Sequence, residues 1–371
     1  MKELRIKDIC TKGSSTLRQK DVEKLSGKYP VYGASGLIAK MDSYHQEKDY
    51  IAIVKDGSGI GRVMFLPAKS SVIGTMQYIL PKEGYDIFYI GYCLQSLNLS
   101  SYKQGAAIPH IYFRDYGERI VKVTDSISEQ KDIVNRINVQ FSKIDKLKQN
   151  AEKELQEVLS CLKATISQAT SFRNGWNLDT LGELSTIKGD YGLAAPSRPY
   201  DISKNDFRYL RITDITEWGE LNDDIVAADI DSDIKQEPLA EGDILFARTG
   251  ATVGKTLIYR KDFGDCLFAG YLIRYRLDHE RILPRYMFYV THSDIYYKWV
   301  AQKQKVAAQP NISAKLYNQY PIAYPSVEEQ KVIISDLDHI FSKVMLLQTS
   351  YDKITKECEA LKQSILREIF D

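Results

Sequence analysis

Apolar residues recur every three to four positions through two long stretches of this chain. The first set is Ile133, Ile137, Phe141, Ile144, Leu147, Ala151, Leu155, Leu159, Leu162 and Ile166. The second is Ile333, Leu337, Phe341, Val344, Leu347, Ile354, Cys358, Leu361 and Ile365. A narrow apolar seam sustained over several heptads is the pattern of a coiled coil. Each stretch opens on a capping box, Ser126-x-x-Glu129 and Ser326-x-x-Glu329. There the serine oxygen accepts from an orphan backbone N–H while the glutamate reaches back to the cap. The spacing predicts two helices, 126–171 and 326–371, each about 60 Å long at about 1.5 Å per residue. Neither seam is stable in water alone, so the two helices are expected to pair antiparallel. Ile137, Phe141, Ile144, Leu155 and Leu162 would then meet Leu337, Phe341, Val344, Ile354 and Leu361.

The two stretches are copies. At an offset of 200, Glu129-Gln130-Lys131 faces Glu329-Gln330-Lys331 and Phe141-Ser142-Lys143 faces Phe341-Ser342-Lys343. A one-residue slip near the end then aligns Leu162-Lys163 with Leu361-Lys362. The segments ahead of the helices repeat as well. In 1–125, Tyr50–Lys55 and Arg62–Leu66 read as strands around the turn Asp56-Gly57-Ser58-Gly59-Ile60-Gly61. A helix follows at Tyr85–Leu99, then a strand at Arg119–Val123. In 172–325, Asp243–Ala247 and Lys255–Arg260 flank Thr249-Gly250-Ala251-Thr252-Val253-Gly254, and Pro284 opens the later helix, where its missing N–H is harmless. The expected class is α+β: a tandem duplication of a mixed α/β domain followed by a long helix. Its parts are domain 1–125, helix 126–171, domain 172–325 and helix 326–371.

Composition adds little. At 44% apolar and 27% charged residues, with formal net charge +1, the chain reads as a globular protein without a membrane span or a signal-peptide core near Met1. Five scattered cysteines read as buried thiols of a reducing cytoplasm, not as disulfides or a zinc cage. Between Glu220 and Asp243 the acidic residues far outnumber Lys235, which places that stretch away from a phosphate backbone.

Two motifs invite over-reading. Gly250-Ala251-Thr252-Val253-Gly254-Lys255-Thr256 resembles a phosphate-binding loop, but three residues separate its glycines where four are needed, and its lysine opens a strand instead of a helix. It reads as a tight turn whose glycines supply positive φ. Glu129-Gln130-Lys131 and Glu329-Gln330-Lys331 resemble the tail of a nuclease site but fall in a first helical turn with a capping duty. With no His-Glu-x-x-His, paired CxxC or Asn/Asp-Pro-Pro-aromatic run, neither catalytic residues nor a metal site are expected. Were the ligand a nucleic acid, it would need cations for its phosphates and flat amides or guanidinium groups for its base edges. Candidates flanking the glycine turns are Lys55, Arg62, Arg248 and Lys255. Those leaving the domain helices are Lys103, Gln104, His110 and Arg114 in the first half. In the second half they are Lys303, Gln304, Lys305, Gln309 and Asn311. Arg208 and Arg211 read as strand or salt-bridge residues.

With its S-x-x-E-Q-K helix starts, paired glycine turns and Gln309-Pro310-Asn311-Ile312-Ser313 ahead of Pro321–Pro325, the chain resembles the specificity subunit of type I restriction–modification systems over its full length. The first half departs, with Ile108-Pro109-His110-Ile111-Tyr112 where the second has QPNIS, so contacts there are expected to transfer poorly. The resemblance implies two target-recognition domains, one per half-site of a bipartite, asymmetric double-stranded DNA target, held apart by the helix pair. It also implies two docked modification (methyltransferase) subunits and ATP-dependent restriction subunits. S-adenosylmethionine, ATP and magnesium would then be bound by those partners, and no cofactor by this chain. A self-contained DNA-modifying enzyme and a coiled-coil adaptor that binds no DNA are the alternatives.

Overall fold

The computed structural model describes the chain except Ser58, 106–108, 231–236 and 305–309. It divides into two compact units, Met1–Glu152 with Ser350–Asp371, and Lys153–Thr349. The division falls inside both long helices, Ile127–Ala169 and Val327–Phe370. Each unit therefore holds a globule, the start of its own helix and the end of the other.

The two globules share one topology. In the first, an antiparallel sheet runs Cys10–Ser14, Met76–Pro81, Tyr50–Val54, Val63–Leu66. In the second, the order is Ser185–Tyr191, Leu272–Leu277, Ile244–Ala247, Thr256–Ile258. The inner strands Tyr50–Val54 and Ile244–Ala247 are apolar throughout because both of their faces are covered. Ile51 and Ile53 join the cluster of the domain helix Ile87–Ser96, while Tyr50, Ala52 and Val54 join the opposite one. Ile244 and Phe246 part from Leu245 and Ala247 in the same way. A parallel pair recurs too, Val31↔Ser71 in one unit and Arg208↔Cys266 in the other. So does the closing antiparallel pair, Lys2↔Val123 and Asn177↔Tyr324.

At the helix starts each capping box is half made. Ser126 and Ser326 Oγ accept from Glu129 and Glu329 N–H at 3.3 Å. The glutamates go elsewhere, Glu129 to the Thr124 hydroxyl at 2.5 Å and Glu329 to Trp176 Nε1 at 3.2 Å. The stronger anchor is the next residue. Gln130 is fully buried; its amide donates to the Gly84 and Thr124 carbonyls (3.0 and 2.9 Å) and accepts from Asp86 N–H at 2.7 Å. Gln330 repeats this, donating to Arg281 and Pro325 carbonyls (2.8 and 3.0 Å) and accepting from Leu283 N–H at 2.9 Å.

The helix ends pack antiparallel within each unit, but the seam differs from the expected one. In the first unit Leu366 and Phe370 lie buried with Tyr89, Ile133, Val134 and Ile137. In the second, Leu162 and Ile166 lie with Leu337, Val344 and Tyr289, and Phe341 packs alongside. Ile144 is buried and Leu155 half-buried. Ile354 and Leu361, by contrast, are 38% and 51% exposed. Burial keeps the 200 offset to the end of the helix, so Leu162 and Ile166 answer to Lys362 and Leu366. The slip that matched leucine to leucine followed residue identity; helical phase instead puts Lys362 in the seam. Its stem lies inside while its ammonium pairs with Asp145 and sits 5.2 Å over the Phe141 ring. Leu147 and Leu347 are exposed for the same reason, positions 148 and 348 taking the inward place. Of the cysteines, Cys161 is exposed and the other four are buried.

Several carboxylates of the acidic stretch are paired inside their own unit. Glu220 forks onto Arg260 (2.8 and 2.9 Å), Asp224 meets Arg211 at 2.6 Å, and the fully buried Asp243 meets Arg276 at 2.7 and 2.9 Å. Hydrogen bonds to Asp214, Glu220 and Asp243 raise the Arg211, Arg260 and Arg276 guanidinium groups respectively above their usual range. Arg208 donates to the Asn222 carbonyl at 2.6 Å.

Two predictions follow from this packing. Gln330→Leu leaves Leu283 N–H and two carbonyls without their partner, costing about 1–3 kcal/mol. The second unit's urea midpoint should fall accordingly, and an unmoved midpoint would exclude the anchor. His292, buried against Trp218 and Phe288, has its imidazole pushed down from 6.5 to about 4 by burial. As pH falls the unfolded chain takes up this proton first. The neutral ring's contribution is thus complete above about pH 6.5 and lost progressively towards about 4. The loss of melting temperature across that window should shrink in His292→Phe.

Candidate nucleic-acid interface

In both units the glycine turn is laced to the segment that precedes the closing strand. In the first, Ile111 N–H donates to Lys55 O at 2.9 Å and Gly57 N–H to Pro109 O at 3.2 Å. In the second, Ile312 N–H donates to Arg248 O at 2.8 Å and Gly250 N–H to Pro310 O at 3.2 Å. Bridges Asp56↔His110 and Thr249↔Asn311 lie between these bonds. The halves that looked dissimilar in sequence, PHI and PNI, therefore make the same backbone contacts, with proline and buried isoleucine in matching places. What differs is the side chain displayed between them. The backbone contacts thus carry over from one half to the other, whereas the displayed side chain does not.

In the second unit the turn is held from beneath by buried tyrosines. Tyr317 and Tyr296 hydroxyls donate to the Ala247 and Gly254 carbonyls at 3.0 and 2.9 Å, and Tyr275 to Ala314 O at 3.0 Å. Burial pushes all three phenols above their usual range, so they remain donors. Gly254 has φ +90°, and a Cβ there would meet Val300 at 2.9 Å. Gly61, its counterpart at φ +84°, would meet Ser100 N at 2.8 Å. Only glycine fits either turn.

On this scaffold the first unit gathers Lys55, Gln104, His110 and Arg114. The Asp56 carboxylate pairs with Lys55 and lies 2.7 Å from His110 Nδ1. Gln104 exchanges two backbone bonds with His110, both 2.8 Å, and its amide donates to Asp115 at 2.9 Å. Tyr112 stacks on His110 with centroids 6.3 Å apart, and Arg114, 73% exposed, lies 4.7 Å over the Tyr112 ring. Lys103 is exposed beside them. Arg62 stands apart, donating to Ala34 O at 2.9 Å.

The second unit gathers Arg248 and Asn311, with Arg248 Nε donating to Asn311 Oδ1 at 3.3 Å. The guanidinium lies 4.8 Å over Tyr191, whose hydroxyl accepts from Ala314 N–H at 3.0 Å. Both partners of Arg248 are neutral, and among the described residues no carboxylate pairs with it. Tyr271, 62% exposed, adjoins through its carbonyl, which accepts from Arg248 N–H at 3.0 Å. Lys255 is not in this cluster; its ammonium donates to Ile215 O at 3.2 Å. Lys303 and Gln304 are half-buried on the helix Asp294–Gln304, with the Lys303 ammonium 5.9 Å over Trp299. Lys305 and Gln309 lie outside the described residues. The sequence reading missed Tyr191 and Tyr271, because neither neighbours a cation along the chain. Among the described residues no group of acidic, histidine or cysteine side chains is arranged to hold a metal ion, and no helix is long and apolar enough to cross a membrane.

One globular plan used twice, each copy leaving by an anchored long helix and showing its own polar cluster, defines a duplicated recognition scaffold. The chain belongs to the type I restriction modification DNA specificity domain family, whose profile matches residues 1–157 and again 173–356. It is 22% identical over 262 residues to the type I restriction enzyme StySPI specificity subunit of Salmonella potsdam. That match takes in 66% of this chain and 56% of the relative, so the chain spans just over half of that protein's length. Its fold is also that of a chain from a structure titled as the basis of complex assembly and conformational transition of the type I R-M system. There the TM-score is 0.67 at 16% identity, over 99% of this chain and 97% of the other.

Proposed function

We propose that this chain is the DNA-recognition subunit of a type I restriction–modification enzyme, reading a bipartite, asymmetric duplex target with one cluster per half-site. The observation that carries the reading is the matched pair of clusters: identical backbone lacing, with Asp56 and His110 in one and Thr249 and Asn311 in the other. Guanidinium, amide and imidazole groups are the side chains that hydrogen-bond base edges, and exposed cations beside them contact phosphates. Because the displayed groups differ, the half-sites differ. The long helices, 43 and 44 residues, fix the separation of the half-sites. Two methyltransferase subunits dock on this chain, and restriction subunits join them, in the cytoplasm. They bind S-adenosylmethionine, ATP and magnesium and carry out the chemistry, while this chain makes and breaks no bonds.

Methylome sequencing of a host carrying the chain with its modification subunits tests the reading. Removing one good base contact costs about 1–3 kcal/mol, roughly a 5- to 150-fold loss of discrimination. Arg248→Ala with Asn311→Ala should relax one half-site and leave the other intact, whereas His110→Ala should do the reverse. Loss at both half-sites from either variant would defeat the one-cluster, one-half-site assignment. Inserting four residues into each long helix adds about 6 Å and should lengthen the unread spacer by one or two base pairs. A constant spacer would remove the helices from that role.

A further inference from the structure

Phe65, Tyr92 and Phe141 line an open groove of about 840 Å³ in the first unit, rimmed by Arg62, Gln363 and Arg367. The corresponding groove of the second unit is filled. There the Trp218 ring stacks on His292 (centroids 5.5 Å, interplanar 13°) and meets Phe341 edge-on at 5.5 Å. Beside it Glu217 pairs with Lys163 at 2.7 Å, and Lys255 donates to Ile215 O at 3.2 Å. The counterparts run residue for residue. At the offset of the helices, His292 answers to Tyr92, Phe341 to Phe141 and Lys163 to Gln363. At the offset of the strands, Lys255 answers to Arg62 and Ile258 to Phe65.

The reason one groove is open lies in a single loop. The second unit's strand Arg208–Leu210 is followed by the long segment that carries Trp218. The matching strand of the first unit, Tyr29–Gly33, turns at once through Ala34 and Ser35 into Gly36–Met41. Arg62 still donates to this stunted loop, at Ala34 O, as Lys255 does to Ile215 O. The aromatic walls persist without a plug: Tyr92 lies 5.6 Å from both Phe65 and Phe141. Among the described residues no carboxylate pairs with Arg62 or Arg367, whereas the groove's other two charges are paired, Glu359 with Lys148 and Lys362 with Asp145.

We propose that the first-unit groove receives an aromatic side chain, flanked by a carboxylate, from a loop of a separate polypeptide. The chain's own filled groove supplies the chemistry. The aromatic ring packs from the open side against Phe65, Tyr92 and Phe141, and the carboxylate answers the rim arginines as Glu217 answers Lys163. This docking goes beyond DNA reading and does not depend on it.

The probe is a synthetic peptide of the Thr213–Leu221 sequence with benzoylphenylalanine in place of the tryptophan, added in millimolar excess to the full chain and photolysed. The second groove is occupied in cis, so peptide mapping should place the adduct at Phe65, Tyr92 or Phe141, about one per chain. Filling the groove from its surface, by Gln95→Trp or Gln363→Trp, should cut the yield at least tenfold, with circular dichroism melts confirming that the variants fold. A peptide with glutamine at the position of Glu217 should label severalfold less. Adducts scattered over the surface, or labelling indifferent to both filling variants, would overturn the docking site. Crosslinking of a halouracil-bearing DNA single strand to the same three rings, in place of the peptide, would overturn the polypeptide occupant.

Discussion

Each long helix takes its direction from one buried glutamine. Gln130 and Gln330 clamp the first helical turn to the loop that begins the domain helix, using both amide hydrogens and the amide oxygen. A serine cap satisfies an orphan donor but leaves the helix free to swivel. Three bonds from one planar amide, closed to water, leave one exit angle for the helix from its own globule. A misaligned amide would strand buried donors and acceptors, so the arrangement is all or none. Any fixed geometry between a recognition surface and the helix beneath it starts from this clamp.

The duplication, the caps, the strands around the glycine turns and most of the seam were legible in the sequence. They rest on local rules: period, punctuation and capping chemistry. The seam failed where identity and phase disagree. Leu361 resembles Leu162, yet 3.6 residues per turn carries Lys362 into the inward place, and a lysine fills it by burying its stem and tying its ammonium to Asp145. The glutamine clamp was visible only as a shared Glu-Gln-Lys string. Four of the six partners lie 44 to 49 positions away, and no local rule names them.

At the candidate site the legible part was the cations and amides; the hidden part was their company. Arg248 and Asn311 were named, but the Tyr191 ring beneath the guanidinium reaches it only through folding. Lys255 looked equivalent to Arg62 by position, and the structure gives both the same occupation, holding a loop carbonyl away from the clusters. The acidic stretch misled differently. Its charge read only as a stretch kept away from a phosphate backbone, whereas Arg211, Arg260, Arg274 and Arg276 consume much of it within the unit. Net charge along a sequence says nothing about which charges survive folding.

The same contacts that hold each cluster also separate recognition from stability. Ile312 and Gly250 bind their partners through backbone atoms, so the side chain at Asn311 is free to change without breaking either bond. His110 and Asn311 occupy equivalent bridges with unrelated chemistry, one an imidazole beside a carboxylate and the other an amide beside a guanidinium. The fold tolerates both because the backbone bonds that lace each turn are the same whichever side chain is displayed. The glycines are the opposite case: Gly61 and Gly254 display nothing, yet a single added carbon would collide with the element behind each. A scaffold divided in this way lets one duplicated framework present two different surfaces.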